Sequence, residues 1–227
     1  DYNSFKGRFN FIKVPYLLDY LEEERIYAEQ IEGLRDRTIF EPFALRTLCL
    51  FAIMTRLRSP QTKDYEDKKL SHIATDLNPI QKALLLSSKH DMPDGMDSES
   101  KQVLRVGIKD ITDEYEHDSL YEGKFGLSPR DIKKIIYQLS ETQTHITFVE
   151  VLEYLKDLLA KKGDYDFLNM TPHGDYHHPA RFLSLIKTLA LDLFDRELRD
   201  SLGLVDNRTY EDYIRRYITN INAYIKG

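Results

Sequence analysis

The sequence predicts a mainly α-helical protein, and three observations carry that prediction. Apolar residues recur at helical spacing, as at Ile132, Ile135, Ile136 and Leu139, which fall at i, i+3, i+4 and i+7. The runs open on helix-start grammar: Ser128 to Asp131, Thr147 to Glu150 and Thr209 to Asp212 each read as a capping box, the first with Pro129 at the first helical position. Only Phe9 to Pro15 reads as a strand, alternating, aromatic and closed by proline. One strand cannot pair with itself, so its sheet is expected to lie before residue 1. The chain opens on Asp1 without a methionine and reads as a piece of something larger.

Composition narrows the class. At 227 residues, 41% hydrophobic and 31% charged, the chain is long enough to bury a sizeable core and has a globular profile. Its 38 acidic residues outweigh 32 basic ones, which disfavours general affinity for a nucleic acid backbone. The longest apolar stretch, Leu48 to Met54, is far below the ~20 residues a membrane helix needs, so no membrane is expected as a partner. The single Cys49 cannot form an internal disulfide, which suits a reduced, cytoplasmic setting.

In chain order, helices are expected from Glu22 to about Leu34, with Gly33 ending it, and from Pro42 to about Arg58. The second is apolar on most sides and reads as the central buried helix of the first half. Pro60 stops it; short helices follow at Asp64 to Leu77 and Pro79 to Ser87, then a loop from His90 to Ser100 and a modest helix from Lys101 to Tyr115. The Ser128 helix runs to about Glu141. Thr142 to Ile146 lacks a helical stripe and is expected to be a joint that pivots. The Thr147 helix runs to about Lys162 before Gly163. Pro179 starts a long amphipathic helix that Gly203 is placed to close, and Thr209 opens the last one, striped by Tyr210, Tyr213, Ile214, Tyr217, Ile218, Ile221 and Ile225.

The chain lacks a phosphate-cradling Gly-x-x-x-x-Gly-Lys-Ser/Thr loop, a His-Arg-Asp catalytic loop and an Asp-Phe-Gly element, so by itself it is not expected to hydrolyse ATP. His173, His177 and His178 with Asp175 offer ligand types that suit zinc, but they crowd into one loop with no supporting Cys or His-Glu-x-x-His helix. Loop structure and capping of the helix after Pro179 is the reading taken, with no metal site. Arg130 lies off its helix's apolar stripe and beside the helix N-terminus, where backbone amides and a guanidinium can converge on an anion; the alternative is a solvated arginine.

A resemblance adds to this reading. Tyr121-Glu122-Gly123-Lys124-Phe125-Gly126-Leu127-Ser128-Pro129-Arg130, then Gly174-Asp175-Tyr176-His177-His178-Pro179, then Leu198 to Val205 and Tyr210-Glu211-Asp212 together resemble the C-terminal part of the PrkA-type serine protein kinases. Phe5-Lys6-Gly7-Arg8-Phe9 through Val14-Pro15-Tyr16 resembles the end of that family's AAA+ ATPase core.

The resemblance implies a trailing end of the core at residues 1–21, a helical lid at 22–145 with a divergent insertion near 60–124, and a C-terminal helical domain at 146–227. It implies that Arg130 is the lid's sensor 2 arginine, reaching the γ-phosphate of ATP, and that Arg8 is an arginine finger offered to a neighbouring subunit. ATP and Mg would then belong to a longer parent and no cofactor to this stretch. The parent is expected to be a cytoplasmic, homo-oligomeric, ATP-dependent serine kinase acting on protein substrates. The alternatives are an AAA+ remodelling or proteolytic machine without kinase activity, and a non-catalytic module whose last helix docks a partner.

Overall fold

A computed structural model of the chain describes residues 12–93, 95–203 and, beyond them, 214, 217, 218 and 221. Helix α2, Pro42–Arg56, is the element on which the first part of the chain is assembled. Its sequence PFALRTLCLFAIMTR is apolar on nearly every side, and from Leu48 to Arg56 no side chain reaches solvent appreciably, as expected of a helix packed all round. Helix α1, Tyr20–Glu32, lies along it, capped by the Asp19 carboxylate, which accepts from Leu21 N and Glu22 N. The Cys49 thiol is fully buried and burial pushes its pKa up, which makes it a packing atom rather than a nucleophile.

Four more helices fill the middle: α3 (Lys68–Thr75), α4 (Pro79–Leu85), α5 (Ser98–Val106) and α6 (Ile108–Asp113). They surround a satellite core of Leu70, Ala74, Leu77, Leu85, Leu104 and Ile111. The single helix expected from Lys101 to Tyr115 is two. They part at Gly107, where a Cβ would come within 2.3 Å of Leu70 Cδ2. Close approach to the buried Leu70 admits only glycine there.

Helix α7, Pro129–Thr142, starts on the expected capping box and buries Ile132, Ile135, Ile136 and Leu139. Helix α8, Phe148–Leu158, starts on the second expected box, at Thr147, and packs on α2. Between them β2, His145–Ile146, pairs in parallel with β1, Ile39–Phe40, in the register Ile39↔His145 and Phe40↔Ile146. These strands differ from expectation. Of the Phe9 to Pro15 segment, Ile12 to Pro15 carries no regular secondary structure and the rest lies outside the described residues. The joint at Thr142 to Ile146 is stitched to the β1 strand: Ile39 N donates to Thr144 O and Glu41 N to Ile146 O, both at 2.9 Å. Thr38 Oγ1 adds bonds to Ser140 O and Gln143 O at 3.1 and 3.3 Å, satisfying free carbonyls at the end of α7. Pivoting there would have to break this ladder or carry β1 along.

The described chain gathers into two compact units, 1–186 and 187–227. Helix α9, Pro179–Ser201, crosses that division. In the first unit Phe182 meets Phe51 edge to face with ring centroids 6.3 Å apart, and Phe167 meets Phe51 at the same distance. The capping box expected at Thr209 to Asp212 lies outside the described residues; of its helix Ile214, Tyr217, Ile218 and Ile221 are described and helical. No helix of the described residues is long and apolar enough to cross a membrane.

Candidate functional site: the start of helix α7

The segment from Glu122 to Arg130 crosses the end of α2 so closely that two of its residues must be glycine. Gly123 has φ 73° and a Cβ there would meet Tyr16 O at 2.6 Å; Gly126 has φ 123° and a Cβ would sit 2.9 Å from both Thr55 O and Thr55 Oγ1. Both adopt a left-handed backbone that side chains disfavour. The close approach is used. Leu127 N donates to Thr55 Oγ1 at 2.9 Å, Gly123 N to Arg56 O at 3.1 Å and Tyr16 N to Gly123 O at 2.8 Å. Gly126→Ala should therefore cost about 1–3 kcal/mol from backbone strain alone, before any clash. A chemical denaturation midpoint unchanged from wild type would contradict this.

Arg56 is the knot under the loop. Its guanidinium grips Glu23 in a fork, Nη1 to Oε2 at 2.6 Å and Nη2 to Oε1 at 3.0 Å, with side chains 0% and 1% exposed. The remaining donors reach backbone: Nε and Nη2 to Leu127 O at 3.0 and 2.6 Å, and Nη1 to Leu17 O at 2.8 Å. Tyr27 donates its hydroxyl to Glu23 Oε1 at 3.1 Å and lies 3.5 Å from Pro129 O. One arginine thus ties together the segment before α1, α1 itself, the end of α2 and the entry to α7. A buried charge persists only when paired and hydrogen-bonded in this way.

A second buried cluster braces the other side of the loop. The Lys82 ammonium, wholly buried, donates to Glu114, to Glu122 Oε1 at 2.8 Å and to Arg58 O at 3.1 Å. Glu122 also accepts from Arg58 N at 2.6 Å, while its Oε2 and Arg58 Nε have no hydrogen-bond partner among the described residues. Burial lowers the pKa of Lys82, but the charges and hydrogen bonds of Glu122 and Glu114 outweigh it, and the net shift is upward from 10.5. Burial pushes the Glu122 carboxyl up from 4.5 against the pull of Lys82.

Burial also raises the Tyr27, Tyr65 and Tyr176 phenols from 10.0, reinforced by Glu23, by Glu114 and by Glu122 respectively. A folded pKa above the unfolded value gives stabilisation that is complete below the unfolded pKa and lost as pH rises through the folded one. For Lys82 and the three tyrosines that window opens near pH 10; Glu122 acts in the same sense from pH 4.5 upward. The thermal midpoint should fall steeply above pH 10, and a midpoint steady to about pH 12 would contradict the assignment.

Arg130 stands exposed in the first turn of α7, off the buried stripe and without an ion pair among the described residues. Its expected partnership with the helix amides is altered by the cap itself. Asp131 N donates to Ser128 Oγ at 3.2 Å, and the Asp131 carboxylate accepts from Ser128 N at 3.1 Å and Ser128 Oγ at 2.5 Å. A carboxylate already occupies the helix start. An anion approaching from outside would be held by the guanidinium fork and would feel Asp131 as a repelling neighbour. Arg8 lies outside the described residues.

The histidine loop is a dock and a cap. His173 and Tyr176 form an antiparallel bridge across Gly174, and the Tyr176 hydroxyl donates to Leu77 O at 2.7 Å. Arg181 N donates to His178 Nδ1 at 3.2 Å, capping α9 as expected, and the Arg181 side chain pairs with Asp175 at 3.2 Å. His177 turns at φ 54°; burial, then the charge of Arg58, lowers its imidazole pKa from 6.5. Among the described residues no group of three His, Cys, Asp or Glu side chains is placed to hold a metal ion.

The two buried clusters were not expected from the sequence. The available signal was a charged residue inside an apolar run, Arg56 after Phe51 to Met54 and Lys82 between Ile80 and Leu85, since such a residue is buried only with a partner.

Comparison with known proteins places these features. The ATP-dependent protease PrkA of Bacillus subtilis (strain 168) is 25% identical over 228 residues, an alignment covering 97% of this chain and 31% of that protein. The chain thus spans about a third of the length of this curated relative. No solved structure matches the chain. Residues 80–227, which include the braced loop, α7, the histidine loop and α9, match the family described as the PrkA serine protein kinase C-terminal domain, and the chain belongs to that family.

Proposed function

We propose that this chain is the lid and C-terminal helical portion of a longer, ATP-dependent PrkA-type protein that phosphorylates serine in protein substrates. The observation that carries the reading is Arg130: an exposed guanidinium at a helix start held from beneath by the Arg56–Glu23 fork and from the side by Lys82. A planar guanidinium fork presented there suits paired, charge-assisted bonds to a phosphate. Residues 22–145 would be the lid and 146–227 the C-terminal domain, with Arg130 sensing the γ-phosphate of ATP bound in an upstream core of the same subunit. Arg8 would reach a neighbouring subunit of a cytoplasmic homo-oligomer as an arginine finger. ATP and Mg would be held by that core; the present stretch carries no phosphate loop and is proposed to be inactive alone.

The name of the Bacillus relative favours a second reading, an ATP-dependent protease or remodelling machine in which the same arginine couples hydrolysis to unfolding. Incubating the full-length protein with MgATP and casein separates the readings. The kinase reading expects phosphoserine on casein; the protease reading expects ATP-dependent release of casein peptides without it. Absence of any ATP turnover would contradict both and leave a non-catalytic interaction module.

A further inference from the structure

We propose that the 187–227 unit is a self-association surface that pairs with the same unit of a second copy of this chain. In this unit helix α9 continues as far as Ser201 and carries Leu191, Phe194, Leu198 and, in the turn beyond, Leu202, exposed by 47%, 52%, 45% and 60%. At 100° per residue these four fall on one narrow stripe. The last helix repeats the arrangement: Ile214, Tyr217, Ile218 and Ile221 fall at i, i+3, i+4 and i+7 and are exposed by 52%, 68%, 52% and 41%. Leu191, Phe194 and Leu198, like Ile214, Tyr217 and Ile221, have the three-then-four spacing of a helix–helix seam.

Area and charge favour a second copy as the occupant. Eight side chains of on the order of 150–200 Å² each, about half exposed, leave roughly 700 Å² of apolar surface per copy. Summed over the two stripes, this matches the approximately 800 Å² per partner of a stable interface. A two-fold interface must be complementary to itself. The flanks of the α9 stripe meet that condition by carrying both signs, with Asp192, Asp195 and Arg199 on one side and Glu197 on the other. The Arg199–Asp195 pair, 2.7 Å apart, is 56% exposed on both sides and leaves each group accessible to a symmetry mate.

The test is the mass of the 227-residue chain by sedimentation and light scattering from about 1 to about 100 µM, the range in which interfaces of this size associate. The mass should rise from 26.7 kDa to twice that value and stop there. Phe194→Lys with Leu198→Lys, and separately Ile218→Lys, should weaken association at least tenfold with circular dichroism unchanged. Val106→Lys, at a site 75% exposed in the other unit, should associate like wild type. A wild-type mass fixed at one copy, a mass growing past two copies, or a dimer surviving in the Phe194→Lys, Leu198→Lys variant would each overturn the proposal. So would dissociation of the Val106→Lys variant.

Discussion

Glu23→Ala is expected to lower the stability of the chain by about 3–5 kcal/mol, far more than any exposed ion-pair substitution. The effect does not come from the lost attraction alone. Removing the carboxylate leaves the Arg56 guanidinium buried with 0% exposure and no counter-charge, and it takes the nearer of two acceptors from the Tyr27 hydroxyl. Arg35→Ala, which breaks an i, i+3 pair with Glu32 exposed by 71% and 58%, should change stability by no more than about 0.5 kcal/mol. Glu23→Leu combined with Arg56→Met should recover part of the loss, since no charge is then stranded. It should not recover all of it, because Leu127 O and Leu17 O lose their donors. Urea unfolding read by circular dichroism measures all three; Glu23→Ala within about 1 kcal/mol of wild type would remove the fork from the account.

What was legible in the sequence was local. The capping boxes at Ser128 and Thr147 formed as expected because every atom they need lies within three residues. The stripe of α7 and the all-round apolar character of α2 were legible because burial of one face leaves a period in the sequence. The two strands were not: two residues each are too short to show alternation, and Ile39 and His145 meet only because α2 and α8 pack together.

The forks and clusters that brace the site join residues far apart, Glu23 to Arg56 and Lys82 to Glu114 and Glu122, and no local rule records such pairings. Arg130 lies exposed beside the helix start, as its place off the apolar stripe implies, but its setting differs from the expected cluster of free amides. The capping box that starts the helix also fills the helix start with the Asp131 carboxylate. Arg8, the other arginine singled out, lies outside the described residues.

Arg130→Ala in the full-length protein is expected to lower ATP turnover by roughly one to three orders of magnitude, the usual value of a single lost donor to a developing phosphoryl charge. The fold should be untouched, because Arg130 is exposed and the helix is held by Ile132, Ile135, Ile136 and Leu139. Arg130→Lys should be nearly as damaging, since an ammonium keeps the charge but loses the planar fork. Ser128→Ala separates support from chemistry: it should cost about 1 kcal/mol of stability through the lost cap and change turnover only secondarily. Steady-state ATP hydrolysis by Arg130→Ala, with its thermal midpoint recorded beside wild type, is the most direct measurement. Turnover reduced at least tenfold at an unchanged midpoint is the predicted result. Wild-type turnover would make Arg130 a solvated surface arginine and would contradict nucleotide sensing at the start of α7.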